Sequence, residues 1–263
     1  MQFAVTGVLN LAFSAVMVVS AFSAYWVNSL GLSVWVGVGA AAIVGSVLSL
    51  ALNRGIYAPF QRRGTSPIAL VIVSLGMALI LEFGLQSVVG GVNYSYTMVQ
   101  GPIFSLGGLV FTGVQFVIIG LSVAVMVAIH GLLGYSRLGK AMRATASNRW
   151  LARNCGIRTE RVVTMTWAIS GALCGLSGAV FAIDAGSFGA NSTDLYIVLI
   201  LAAVFLGGPG QAYGAMLGAL IIGLATEMSA AWIAPDYKYV VAFVFLLGVL
   251  ALRPSGILGA RTR

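Results

Sequence analysis

Charge is what this sequence has least of. Only 8% of its 263 residues are Asp, Glu, Lys or Arg, against about 25% in a soluble domain, so the chain cannot cover itself with a polar surface. Six acidic residues and one histidine leave little material for acid–base chemistry. The two cysteines, Cys155 and Cys174, have no CxxC spacing and no histidine beside them, which argues against a disulfide framework or a zinc site. There is no GxxxxGK[ST] phosphate loop. No Ser/His/Asp arrangement, carboxylate pair or metal cluster emerges from the spacing either, so catalysis and a bound cofactor or metal are not expected in this chain. The apolar run starts directly after Met1 and Gln2 without a basic leader or a cleavage site, so no cleavable signal is read.

What the sequence does have is apolar length. Hydrophobic residues make up 60% of it, and runs of about 20 residues recur throughout, the length a helix needs to cross a hydrocarbon core of about 30 Å. Continuous runs argue against a β-barrel, whose strands alternate over about 10 residues. The expectation is an all-α polytopic membrane bundle, one domain over residues 1–263. It has about eight spans, at 3–27, 30–52, 67–89, 114–133, 162–183, 195–206, 213–233 and 239–252. Pro67 falls in the first turn of the third, where its missing N–H costs least. Residues 53–64 read as a basic loop, and the uncharged segment 90–113 as an external loop with some local structure. The sixth and eighth spans are short, requiring tilt, extension or, for the sixth, a partly re-entrant course.

Charge tests this count. With eight spans, Arg54, Arg62 and Arg63, the segment Arg137 to Arg161, and the tail Arg253, Arg261 and Arg263 share one face; only Lys238 among the basic residues lies opposite, with Asp184, Asp194 and Asp236. The basic face and the C-terminus are therefore read as cytoplasmic, and the net charge of +8 is explained by orientation rather than by nucleic acid.

Residues 135–161 hold half of the basic residues. Leu138, Ala141, Met142 and Thr145 share one helical face, whereas Trp150, Leu151, Asn154 and Cys155 share a nearly opposite one. Ser147 and Asn148, both good N-caps, sit at the switch, which predicts two short helices with a break there and a stop at Gly156. Such a segment is either a basic loop lying on anionic lipid or a docking element for a cytoplasmic partner, with Trp150 and Met142 as apolar anchors and arginines as their rim. Beyond it, Ala168, Gly171, Gly175, Gly178 and Ala182, and later Gly214 and Gly218, recur at the small-residue steps that let helices approach closely. Glu82 and Glu227 are the acids placed deepest, each costing about 2.5–3.5 kcal/mol if it faced lipid at the centre of the bilayer. Asn10 is a buried amide suited to a path or a helix contact, His130 reads as an interfacial hydrogen-bonding group, and Gly207 to Gly210 is a turn or a break in the path.

These residues also carry a resemblance. Gly134, Gly139, Ala141, Arg143 and Ala144, then Ala152, Gly156 and Ile157, then Ser170 to Gly178 resemble the permease subunits of branched-chain amino acid ABC importers, the LivH type. The run from Ala202, the ending Arg253 to Gly259 and the early segment Gly7 to Ser14 are similar to further family blocks, so the likeness covers nearly the whole chain. Family members carry a further apolar segment ahead of the equivalent of Gly7, so either a segment precedes Met1 or the chain works without it; the first reading is favoured.

The resemblance implies a subunit of a bacterial or archaeal plasma-membrane importer. Its partners would be two ATPase subunits that bind ATP and Mg, a second permease or another copy of itself, and a periplasmic or lipid-anchored substrate-binding protein. It implies ATPase coupling through Leu138, Gly139, Ala141, Met142, Arg143, Ala144, Trp150, Ala152, Gly156 and Ile157. The residues themselves place a translocation path near Asn10, Glu82, Glu227, Gly207 and Gly208, with a structural hydrogen bond at the outer interface an equal reading for Glu227. The alternative is an ion-coupled secondary transporter, which would want paired intramembrane acids or an inverted repeat; an integral membrane enzyme ranks third.

Overall fold

The computed structural model describes residues 1–98, 102–106, 109–232, 237–252 and 256–257. It is a helical membrane bundle with one small hairpin. The helices are α1 (Gln2–Thr6), α2 (Phe13–Ser29), α3 (Val34–Leu52), α4 (Ala58–Arg62), α5 (Pro67–Val89), α6 (Gly113–Tyr135), α7 (Arg137–Ser147), α8 (Arg149–Asn154), α9 (Thr159–Ala185), α10 (Tyr196–Gly207), α11 (Ala212–Trp232) and α12 (Lys238–Leu252). Strands β1 (Ile103–Leu106) and β2 (Leu109–Thr112) pair antiparallel between α5 and α6. Five helical stretches are long and apolar enough to cross a membrane, and α2, α10 and α12 are shorter apolar helices. The expected tail arginines, and Asp236, lie outside the described residues.

The first expected span is not one helix. Gly7 takes φ +68°, a left-handed conformation that suits glycine, and Asn10 Oδ1 accepts from the backbone N–H of Ala12 (3.0 Å). Residues 7–12 therefore run without regular helix between α1 and α2. Their freed backbone groups are satisfied from elsewhere, as membrane depth requires: Leu11 N–H donates to Ser74 Oγ (3.1 Å) on α5.

The expected basic loop at 53–64 is likewise corrected. The second span continues through a π-helical turn, Asn53–Tyr57, into α4, giving one 29-residue stretch, Val34–Arg62. Widening the turn accommodates Pro59, which would otherwise clash with the carbonyl four residues earlier. α5 starts where Pro67 predicted, with Ser66 Oγ capping Ala69 N–H (3.3 Å).

Small residues fix the centre of the bundle. A methyl group added at Gly175 would collide with the Ala41 carbonyl, and one at Gly178 with the Met17 carbonyl. Gly45 packs on Gly171 and Gly175 in the same way, and Ser49 Oγ donates to Trp167 O (3.0 Å) between α3 and α9. The α10–α11 pair repeats the device with Gly207, Gly214 and Gly218. Such contacts replace the hydrophobic driving force that helices in lipid lack.

α10 has 12 residues, about 18 Å of rise. The chain reaches it through the buried, non-helical residues Phe188, Ala190 and Thr193, and Thr193 Oγ1 donates to Ser14 O (2.9 Å). Phe188 also forms a β-bridge with Tyr94, tying this descent to the hairpin side of the bundle.

Candidate functional site

A cavity of about 820 Å³ runs lengthwise through the bundle, walled by the α1–α2 linker, α6, α9, α10 and α11. Along α9 it extends from Ser170 to Asp184, about 21 Å of helix. One end lies at Gly210 and Gln211, in the turn between α10 and α11, and the other at Asp184 and Tyr196 on the hairpin side. The wall is mostly Leu, Ile, Val, Met and Phe, with isolated polar groups. Asn10 is one: its Oδ1 also accepts from Tyr57 Oη (2.8 Å), so the carbonyl is committed to the fold. Its Nδ2 has no hydrogen-bond partner among the described residues. Gln2, missed in the sequence, also lines the cavity; it is 4% exposed and neither of its amide atoms is hydrogen-bonded among the described residues.

The other expected path residues are not among those lining this cavity. Gly207 packs on Gly214, and Gly208 ends α10 at φ +104° with its N–H on Val204 O (3.0 Å). Glu227 of α11 accepts from Lys238 Nζ of α12 through both oxygens (2.7 and 2.8 Å). Glu82, half-buried on α5, faces the Asp194 carboxyl. The sequence separation hid this pairing of acids: α10's non-helical approach carries Asp194 back to α5. His130 contacts the rings of Tyr135 (6.0 Å) and Tyr213 (5.6 Å) edge-on.

On the opposite face from the hairpin, α7 and α8 meet at Asn148, whose Oδ1 caps Leu151 N–H (2.9 Å). Gly156 follows α8 at φ +83°. α7 is fastened to α6: Gly139 sits directly on the Leu132 and Leu133 carbonyls, Ser136 Oγ donates to Leu132 O, and the Arg143 guanidinium donates to Leu133 O. Met142 is 3% exposed within the core formed with Trp167, Val163 and Leu133, so it is not a surface anchor, and that expectation is corrected. Its helical face is shared with Gly139 and Thr145, and that face turns inward. Ala152 is also buried, Leu138, Ala141, Ala144 and Ile157 are half-buried, and Ala144 O accepts from Asn148 N–H. Trp150 is 74% exposed, with Leu151 beside it, amid the exposed Arg149 and Arg153.

A multi-pass helical bundle with an apolar cavity along its length, and a basic helix pair outside it, defines a membrane transport protein of the permease class. The chain belongs to the family described as the permease component of the branched-chain amino acid transport system, whose model matches residues 1–250. It is 28% identical over 273 residues to the high-affinity branched-chain amino acid transport system permease protein LivH of Salmonella typhimurium, covering 98% of this chain and 88% of that protein. It is 30% identical over 232 residues to the probable branched-chain amino acid transport permease protein LivH of Methanocaldococcus jannaschii, covering 83% and 71%. A more distant relative is the ribose import permease protein RbsC of Bacillus subtilis, 28% identical over 209 residues, covering 76% and 61%. No solved structure matches the chain.

Proposed function

We propose that this protein is the membrane-spanning subunit of an ATP-driven importer and passes branched-chain or related amino acids through its cavity. The observation that carries the reading is the cavity itself, about 820 Å³ and apolar along its wall, in a chain of the branched-chain permease family. Its size falls in the range of about 300–1,000 Å³ usual for small-molecule sites. The basic face is cytoplasmic, by the positive-inside rule. Two separate ATPase subunits bind ATP and Mg²⁺ and dock on α8 through Trp150 and Leu151. A second permease subunit and an external substrate-binding protein complete the importer. Reconstitution in liposomes tests this: uptake of labelled leucine requires this chain, ATPase subunits, binding protein and ATP together. Uptake by the chain alone overturns it.

One observation favours a second reading. The facing carboxyls of Glu82 and Asp194 are the kind of pair an ion-coupled transporter uses. Leucine uptake driven by a pH gradient without ATP would establish that mechanism instead.

A further inference from the structure

The outer end of the cavity carries the one charged side chain among its lining residues, Asp184. Its position is not one that helix stability selects. Asp184 lies in the last turn of α9, where the partial negative charge of the helix end disfavours a carboxylate. Among the described residues it makes no ion pair and no hydrogen bond that would offset this. Of the neighbouring hydroxyls, Thr193 Oγ1 donates to Ser14 O and Ser192 Oγ accepts from Gly189 N–H, neither of them pairing with Asp184.

What surrounds the carboxylate is aromatic. Phe181 stands three residues earlier on the same face of α9, and its ring meets that of Tyr196 edge-on at 4.5 Å. Tyr196 is close enough to Asp184 to feel its charge, and its ring is followed by that of Tyr239 at 6.3 Å. A carboxylate with aromatic rings nearby attracts an organic ammonium group through charge-assisted hydrogen bonds, to which the ring quadrupoles add. A neutral polyol can donate hydroxyls to the carboxylate but brings no positive charge to complement it. Two turns inward, Ser177 lines the wall with its own proton committed to Cys174 O (2.9 Å), leaving its oxygen as an acceptor. Around it the wall is mostly apolar: Leu173, Leu176, Val180, Ile200 and Val204.

We propose that Asp184, with the rings of Phe181 and Tyr196, is an entry site for the ammonium group of an amino acid whose apolar side chain points down the cavity. This rests on the importer reading above and deepens it, since it makes the permease itself select for an amine at the mouth. A ribose-type substrate would bring no cation to this site. The position is open to water, so the site holds its ligand weakly and releases it inward.

The test is labelled leucine binding to the full chain in lipid nanodiscs, with 3-methylbutylamine and 4-methylpentanoate as competitors. These carry the same hydrocarbon with only the amine or only the carboxylate. The amine should compete and the carboxylate should not. Asp184→Asn should weaken leucine binding about tenfold, the loss expected for one charge-assisted contact, and Asp184→Glu should recover most of it. Glu160→Gln, whose exposed carboxylate stands at the opposite end of α9 beside Arg62, should bind as the parent does. Equal binding by Asp184→Asn, equal competition by the two analogues, or no leucine binding by the parent chain overturns the site. ATP-driven uptake by the assembled importer, measured in parallel, separates the two ideas: if it persists while Asp184→Asn changes nothing, the site falls and the importer reading stands. If uptake proceeds without the ATPase, the importer reading itself falls.

Discussion

In the break between α1 and α2 one side-chain oxygen, Asn10 Oδ1, accepts two buried donors, which makes its removal a quantitative test. Asn10 Oδ1 accepts both Tyr57 Oη and Ala12 N–H, and Tyr57 and Ala12 are fully buried. Tyr57→Phe removes one donor and leaves Oδ1 paired with Ala12, so it should cost about 0.5–1.5 kcal/mol. Asn10→Ala removes the acceptor from two buried donors, each of which then bears an orphan penalty of about 1–3 kcal/mol. The Ser74 hydroxyl lies within reach of Tyr57 Oη and relieves part of that, so about 2–4 kcal/mol is expected. The double variant takes away one orphaned donor as well, and should be about 1 kcal/mol more stable than Asn10→Ala alone. SDS-induced unfolding of the purified protein, followed by circular dichroism, gives all three values. Additive losses, or a Tyr57→Phe cost equal to that of Asn10→Ala, would refute the shared-acceptor account of the break.

Gly175→Ala places a methyl group against the Ala41 carbonyl and should cost about 1–3 kcal/mol, while Gly175→Leu should abolish folded protein in detergent extracts; an unchanged melting temperature for both would contradict the α3–α9 approach. Trp150→Ala changes an exposed side chain, so stability should stay within about 0.5 kcal/mol. Co-purification of the ATPase subunits should nevertheless fall sharply, and undiminished recovery would remove α8 as their docking point.

What could be read from the sequence follows the range of the interactions involved. Ser66–Pro67, the switch at Asn148 and the stop at Gly156 are set by neighbouring residues, and helix boundaries fall at each of them. The small residues of α9 announced a close contact, although not that α3 and α2 would supply it. The break at residues 7–12 left no trace in hydropathy, because the composition stays apolar across it; Asn10 finds Tyr57 47 residues away. Helical periodicity grouped Met142 with Leu138 and Ala141, but a period cannot say which face turns inward, and the α6–α7 joint at Gly139 decides that. Of the path residues expected from sequence, Asn10 alone lies on the cavity wall. Asp184 passed as part of an outer loop, since counting charges by side says nothing about which one closes a cavity.

The joint between α6 and α7 has a mechanical consequence. α6 is fully buried only at Leu133, near the end that Gly139 and Arg143 grip, and along the rest of its length it lines the cavity, with Val114, Ile118 and Leu121 half-buried against the core. Its 23 residues make a lever of about 34 Å. Swinging that lever by about 5° displaces its far end by about 3 Å and the cavity-lining Ile118 and Leu121, part-way along, by about 2 Å. A small tilt imposed on α7 would thus be magnified along α6 into a shift of the cavity wall. The helix that most resembles a lipid-facing bystander is geometrically a gate with its handle on the basic face.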